Sequence, residues 1–200
     1  MRPHRGVERA VAFPPAHFLV GAGVAELVRV GAPLPRWKAW VVAGLLAVSP
    51  DLDFGVGMLM GEVGSYHGTF THSALAVLVV SLLGAVAGRE WAILAGAGYG
   101  SHLMVDLLDD RGRTNVLLGW PLTLNQPDAI ARVFPTIPFE QGQGAVHAAL
   151  SVFDPPVLME LLHQTAVGGL FFLTLVVWAA LIRVIAGLRS RTQRAERIQR

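Results

Sequence analysis

The sequence predicts an all-α, multi-pass transmembrane bundle of about four to five helices, with a long loop between the fourth and last helices. Three observations carry that expectation. Apolar residues make up 53% of the 200-residue chain and charged residues only 15%, against roughly 25% charged in a typical globular protein. With a mean hydropathy of +0.51, so few charges cannot easily cover a water-facing surface. The stretch QTAVGGLFFLTLVVWAALI, residues 164–182, has no charged side chain before Arg183, and roughly 20 apolar residues suffice to cross a hydrocarbon core. Finally, shorter apolar runs at 37–49, 73–88 and 91–108 alternate with polar turns.

The elements follow in order. Pro14-Pro15 marks a helix start, and the run 16–32 follows it. Glu26 and Arg29 make that run amphipathic, so it can span the bilayer or lie on it. The run 37–49 is short for a full crossing. The runs 73–88 and 91–108 form a third and fourth helix joined at Gly-Arg-Glu. Gly21, Gly23, Gly96, Ala97, Gly98 and Gly100 suit close helix contact in a bilayer. From 109 to 163 the chain turns rich in Pro, Gly and polar residues, and PPVLMELLHQ reads as a short amphipathic piece in the interface. The expected organisation is therefore 1–122 as the membrane-embedded bundle, 123–163 as loop and interfacial segment, 164–188 as the C-terminal transmembrane helix, and 189–200 as a basic tail.

Composition also excludes chemistries. Without cysteine there are no disulfides and no thiolate metal sites. The N-terminal residues lack the apolar core of a signal peptide, so no removable leader is expected. Neither Ser49 nor Ser73 sits in a G-x-S-x-G elbow, and no phosphate-cradling glycine loop is present. The tail carries Arg189, Arg191, Arg194, Arg197 and Arg200 against Glu196 alone. Behind an apolar span such a tail reads as a cytoplasmic anchor touching anionic lipid heads, and nucleic acid is not an expected partner.

Folding the runs into an up-and-down bundle sends the unusual polar residues to one end. His17 starts the first helix there. Asp51 and Asp53 lie where the second helix returns, the following loop supplies His67, and His72 opens the third helix. His102 and Asp106, four apart on one helix face, end the fourth. Each has a bland reading: Asp51 could cap a turn, Thr71 or Ser73 could be the N-cap beside an incidental His72, and His102 could be a hydrogen-bonded core residue. In a membrane segment the last weakens, because ionisable groups there are costly. Imidazole and carboxylate without sulfur suit zinc, manganese or iron. Seven candidates exceed one tetrahedral shell, so one or more divalent ions, zinc first, are expected, with two ions bridged by an aspartate plausible. Such pairs activate water and neutralise charge on a substrate oxygen. His147, His163, Glu140 and Glu160 are read as surface or interface residues.

The motifs AHFLVGAG, SPDLDF, HGTFTHS and GYGSHLMVDLL, followed by LLGWPL, resemble the YdjM-like family of membrane-bound metal-dependent hydrolases. The resemblance covers residues 16–122 and rests on the order and spacing of the motifs. It implies that His17, Asp51, Asp53, His67, His72, His102 and Asp106 form the metal centre. In the mechanism expected here, His17, Asp53 and His67 serve as ligands or proton carriers, Asp53 and His67 being the catalytic candidates. The chain departs from the family's H-R-G-x-T-H-S pattern by carrying Gly68 in place of arginine, so the anion-steadying group would be Arg111, Arg113 or absent. The H-x-x-x-D spacing of His102 and Asp106 is similar to that in zinc-dependent phospholipase C and P1-type nucleases, a distant analogy that points to phosphoesters.

The function expected is hydrolysis of an ester or phosphoester of a lipid or membrane-accessible substrate by a metal-activated water, in a bacterial or archaeal cell membrane, with membrane lipids as surroundings. A metal transporter or channel, and a non-catalytic adaptor working through the basic tail, are the alternatives. Counting basic residues favours a cytoplasmic tail and an outward-facing site, although Arg2, Arg5 and Arg9 count against that orientation.

Overall fold

The computed structural model describes residues 9–11, 14–28, 34–60, 67–108, 116–139 apart from 129, 132, 135 and 136, and 153–198. The chain is helical: α1 Pro14–Val28, α2 Arg36–Val48, α3 Leu52–Leu59, α4 Ala74–Ala85, α5 Arg89–Leu107 and α6 Pro155–Ile198, with 3-10 turns at Ser49–Asp51 and Phe70–His72. The exception is a two-stranded antiparallel ribbon pairing β1 Arg9–Val11 with β2 Ile137–Phe139, Arg9 opposite Phe139.

α1 is the hub, packing against α2, α5 and α6, while α2 also meets α5 and α4 lies on α5. Small residues let the backbones approach. A Cβ on Gly21 would sit 2.5 Å from the Ala47 Cβ and 2.7 Å from the Ala43 carbonyl oxygen, and one on Gly98 would sit 3.0 Å from the Ala43 Cα. Gly168 of α6 makes the same kind of contact with Ala16, at 2.9 Å. The sequence expectation of close glycine contacts therefore holds at Gly21, Gly23 and Gly98, and at Gly96 against Ser81. Gly100 leaves room, with Val77 at 3.5 Å.

Among the described residues, two segments are long and apolar enough to cross a membrane: Arg36–Gly57, which runs from α2 through the 3-10 turn into α3, and Pro155–Arg194 in α6. α4 buries no residue; Leu78, Leu82 and Leu83 face outward. A helix apolar on every side with its outer faces bare has no stable place in water. α6 is a single helix of 44 residues, because Pro155 and Pro156 suit a helix start and no proline interrupts it afterwards. The stretch 155–163 and the described tail residues are thus turns of the same helix.

Glu26 does not face solvent as amphipathicity suggested. It is 1% exposed, and its carboxylate accepts hydrogen bonds from Arg36 Nε at 2.8 Å, Trp40 Nε1 at 2.7 Å and an Arg183 terminal nitrogen at 2.9 Å. This cluster ties α1, α2 and α6 together. Arg29 lies outside the described residues.

Gly21→Val should lower the melting temperature of detergent-purified protein, since overpacking a filled contact costs about 1–3 kcal/mol. Gly169→Ala, whose Cβ would meet nothing within 4 Å, should leave it unchanged.

Candidate metal centre

The end of α2 begins the site. Pro50 has no N–H to continue the α-helical pattern, and the Leu46 carbonyl it cannot satisfy accepts from the Ser49 hydroxyl at 2.7 Å. The chain tightens into a 3-10 turn that ends on Asp51 and re-enters a helix with Asp53 in its first turn. α1 brings His17 and α5 brings His102 and Asp106, one turn apart. Ile130, Val133 and Phe134 hold the end of α5: the Ile130 N–H donates to the Leu107 carbonyl at 2.8 Å, and the Val133 and Phe134 N–H groups to that of Leu108 at 3.0 Å.

The second 3-10 turn brings His72. Ser73 is the N-cap of α4, its Oγ accepting from the Ala76 N–H at 3.1 Å, which leaves Thr71 for the site. Tyr99 donates its hydroxyl to the Thr71 carbonyl at 2.8 Å and anchors that turn to α5. Gly68 has φ +74°, a left-handed conformation that costs other residues roughly 1 kcal/mol or more. The turn is built for glycine at the position where arginine was expected.

All seven predicted residues converge. Around Asp51 Oδ1, His72 Nε2 lies at 3.7 Å and His102 Nε2 at 3.5 Å. Asp106 Oδ2 is 3.6 Å from His72 Nε2 and 3.2 Å from His102 Nε2, and the two imidazole nitrogens are 2.9 Å apart. Bonds of 2.0–2.1 Å to a tetrahedral ion would separate its ligands by about 3.3 Å. Five of the six edges among these four atoms, from 2.9 to 3.7 Å, bracket that spacing.

The other carboxylate oxygens turn toward His17, whose Nε2 is 3.5 Å from Asp106 Oδ1 and 4.0 Å from Asp51 Oδ2. His67 Nδ1 lies 3.8 Å from Asp51 Oδ1. Three overlapping sets can therefore hold an ion: His17, Asp51 and His102; Asp51, His67 and His72; and His72, His102 and Asp106, each with donor atoms within 4.8 Å of one another.

Asp53 belongs to none of those sets. Its Oδ2 accepts from the Thr71 hydroxyl at 2.8 Å and lies 3.4 Å from His72 Nδ1, while its Oδ1 is 3.1 Å from His67 Nδ1. It orients two of the imidazoles. His102 Nδ1 is likewise fixed, donating to the Ala47 carbonyl at 2.7 Å, which directs the Nε2 lone pair into the centre. His17 stacks on His102 with ring centroids 3.9 Å apart.

The residues pass a second test of fit. Both ring nitrogens of His17, both oxygens of Asp51 and Asp106 Oδ2 are buried without a hydrogen-bond partner. Native proteins rarely leave buried polar atoms unpaired, and Asp51 caps no turn. Burial acts against charge on His72, but Asp51, Asp53 and Asp106 outweigh it and raise its pKa to about 10. A divalent ion satisfies the same carboxylates by displacing protons.

Among the described residues outside the centre, His163 faces Glu160 at 3.9 Å on α6 and joins no ligand set. His147, Glu140, Arg111 and Arg113 lie outside the described residues. Sequence reasoning did not find the supporting groups Ala47, Thr71 (weighed only as a cap) and Tyr99. A carbonyl has no sequence signature, and the other two act through contacts between elements.

A helical chain with two membrane-length apolar segments and a buried His/Asp cluster able to hold a metal ion defines a class: membrane-type helical proteins with a candidate metal centre. Residues 14–190 match the family model described as the YdjM inner membrane protein, and the chain belongs to that family. The resemblance read from the four motifs is borne out. No curated protein and no solved structure matches the chain.

Thr71→Val should weaken metal binding by about 10–100-fold without abolishing it, the usual cost of losing a group behind a ligand. Titration against a competing chelator reads the change.

Proposed function

We propose that the protein is a multi-pass, membrane-bound, metal-dependent hydrolase acting on a phosphoester, or another ester, of a lipid or membrane-accessible substrate. The observation that carries this reading is the single buried level at which imidazole and carboxylate donors from α1, α2–α3 and α5 meet, with unpaired atoms on His17, Asp51 and Asp106. Ligands spread through the depth of the helices would suit a transporter; donors gathered at one end favour an enzyme.

Zinc is the first candidate, with manganese or iron next. A divalent ion bound there supplies Lewis acidity, lowering the pKa of water and offsetting negative charge on an ester oxygen. His17, Asp51, His72, His102 and Asp106 would hold one ion or two, with Asp51 reaching four imidazoles. The Asp53–His67 pair, 3.1 Å apart, suits proton transfer. A proton on His67 Nδ1 donated to Asp53 Oδ1 leaves Nε2 as the atom that takes and returns a proton during ester cleavage.

The bare apolar face of α4 supports a crossing beyond the two longest segments. Five crossings would put the Arg-rich end of α6 in the cytoplasm and the centre on the opposite face. Because the chain has no cysteine, single cysteines at exposed Leu124 and Ser190 can be probed in whole cells. An impermeant maleimide should label Leu124→Cys and spare Ser190→Cys; the reverse pattern would invert the orientation.

The central test is metal content by mass spectrometry of detergent-purified protein. Wild type should carry one or more transition-metal ions per chain, and His72→Ala/His102→Ala should carry none. Asp53→Asn should keep the metal yet lose about 10²–10⁴-fold in kcat on the best phosphoester substrate, the usual range for general acid–base catalysis. Absence of metal from the wild type after zinc and manganese supplementation would sink the hydrolase reading.

A further inference from the structure

A cavity of about 350 Å³ lies between α1, α5 and α6. Val20 and Val24 of α1, Ala97 and Met104 of α5, and Phe171 and Leu175 of α6 wall it, with Phe134 closing one side. Ser101 also lines it, but its hydroxyl donates to the Gly98 carbonyl at 2.7 Å. The wall therefore presents apolar atoms alone, and a cavity of that kind does not hold ordered water.

Its position matters as much as its chemistry. Val20 lies one helical turn beyond His17, while Ser101 and Val105 directly precede His102 and Asp106. From Leu108 to Ala97 the wall extends about 16 Å along α5, at 1.5 Å per residue. It starts level with the metal centre and runs along the helix axes toward the middle of the bundle. Met104 at its lip is 53% exposed, and Leu170 and Leu173 of α6 are exposed as well, so the cavity adjoins the apolar outer surface.

We propose that this cavity receives an acyl chain of a membrane phospholipid whose headgroup phosphoester reaches the His/Asp centre. The inference rests on the phosphoester reading above and narrows its substrate to a diacyl lipid. An all-apolar wall offers nothing to a headgroup or an ion, whereas an elongated slot parallel to the helices matches a chain already lying along the membrane normal. Bilayer tails are as apolar as leucine, so moving a chain into the cavity adds little affinity. Its contribution is positional: a held chain places the ester beside the centre, and orientation of this kind lowers a barrier without tighter binding. Val24, Ala97 and Leu175 at the inner end limit how much chain fits.

The test uses full-length protein in phospholipid vesicles containing a diacyl phospholipid with a diazirine midway along one chain. After irradiation, peptide mass spectrometry should place the label on the segments around Ala97, Met104 and Phe171 several-fold more than on Leu78 and Leu82 of α4, which face ordinary lipid. Ala97→Phe should bring cavity labelling down to the α4 level while metal content is retained. Leu175→Trp provides the same test should Ala97→Phe not fold. Even labelling of both surfaces, labelling unchanged in the two variants, or cavity labelling by a polyisoprenyl phosphate probe alone would each overturn the proposal. The two readings fail separately. Hydrolysis of phosphoesters without cavity labelling removes the acyl site and keeps the hydrolase. Cavity labelling without hydrolysis by metal-loaded protein removes the hydrolase and leaves a lipid site that is not a substrate site.

Discussion

The structure depends on one costly act, the burial of three carboxylates and four imidazoles at a single level of a helical bundle. Moving even one unpaired charge out of water costs several kcal/mol after relaxation. The side chains that pair with Asp51, Asp53 and Asp106 among the described residues are imidazoles and Thr71. Such a cluster persists only on a scaffold stiff enough to prevent its rearrangement into pairs that satisfy themselves. That requirement explains the packing of α1, α2 and α5, where glycine and alanine meet backbone on backbone. Long side chains at those contacts would hold the helices apart and leave the donors too distant to share an ion.

The supporting interactions are of the same kind. The Ala47 carbonyl reaches His102 because Gly21, Ala43 and Gly98 draw the helices together, and because Pro50 ends the α-helical pattern just beyond it. Thr71 serves Asp53 and His72 because Ser73 has taken the capping position. Each ligand is set by a neighbour that is itself fixed by secondary structure. Changes well away from the donor atoms therefore act on the centre through helix spacing.

Much of the centre was legible in the sequence for one reason: in an apolar chain each His or Asp stands out, and an antiparallel layout of the helices sends these seven to one end. Helix spacing was legible in part, through Gly21, Gly23, Gly96 and Gly98. What could not be read depends on partners distant in sequence. Glu26 looked like the polar side of an amphipathic helix, because nothing local announces that Arg183, 157 residues away, will meet it. Asp53 could be read as a ligand or a proton carrier, since only the folded turn shows Thr71 occupying its Oδ2. The ribbon joining Arg9–Val11 to Ile137–Phe139 has no local pattern at all.

Glu26 and the candidate metal centre are two solutions to one problem. Glu26 is as deeply buried as the ligands, yet its carboxylate is surrounded by Arg36, Trp40 and Arg183, and the interaction is complete within the protein. At the centre the neighbours are imidazoles, groups that can present a lone pair as readily as a proton, and atoms of His17, Asp51 and Asp106 are left unpaired. A chain able to neutralise a buried carboxylate with two guanidinium groups at one site had the means to do so at the other. That it placed imidazoles there instead gives the cluster the donor chemistry of a site that could hold a cation.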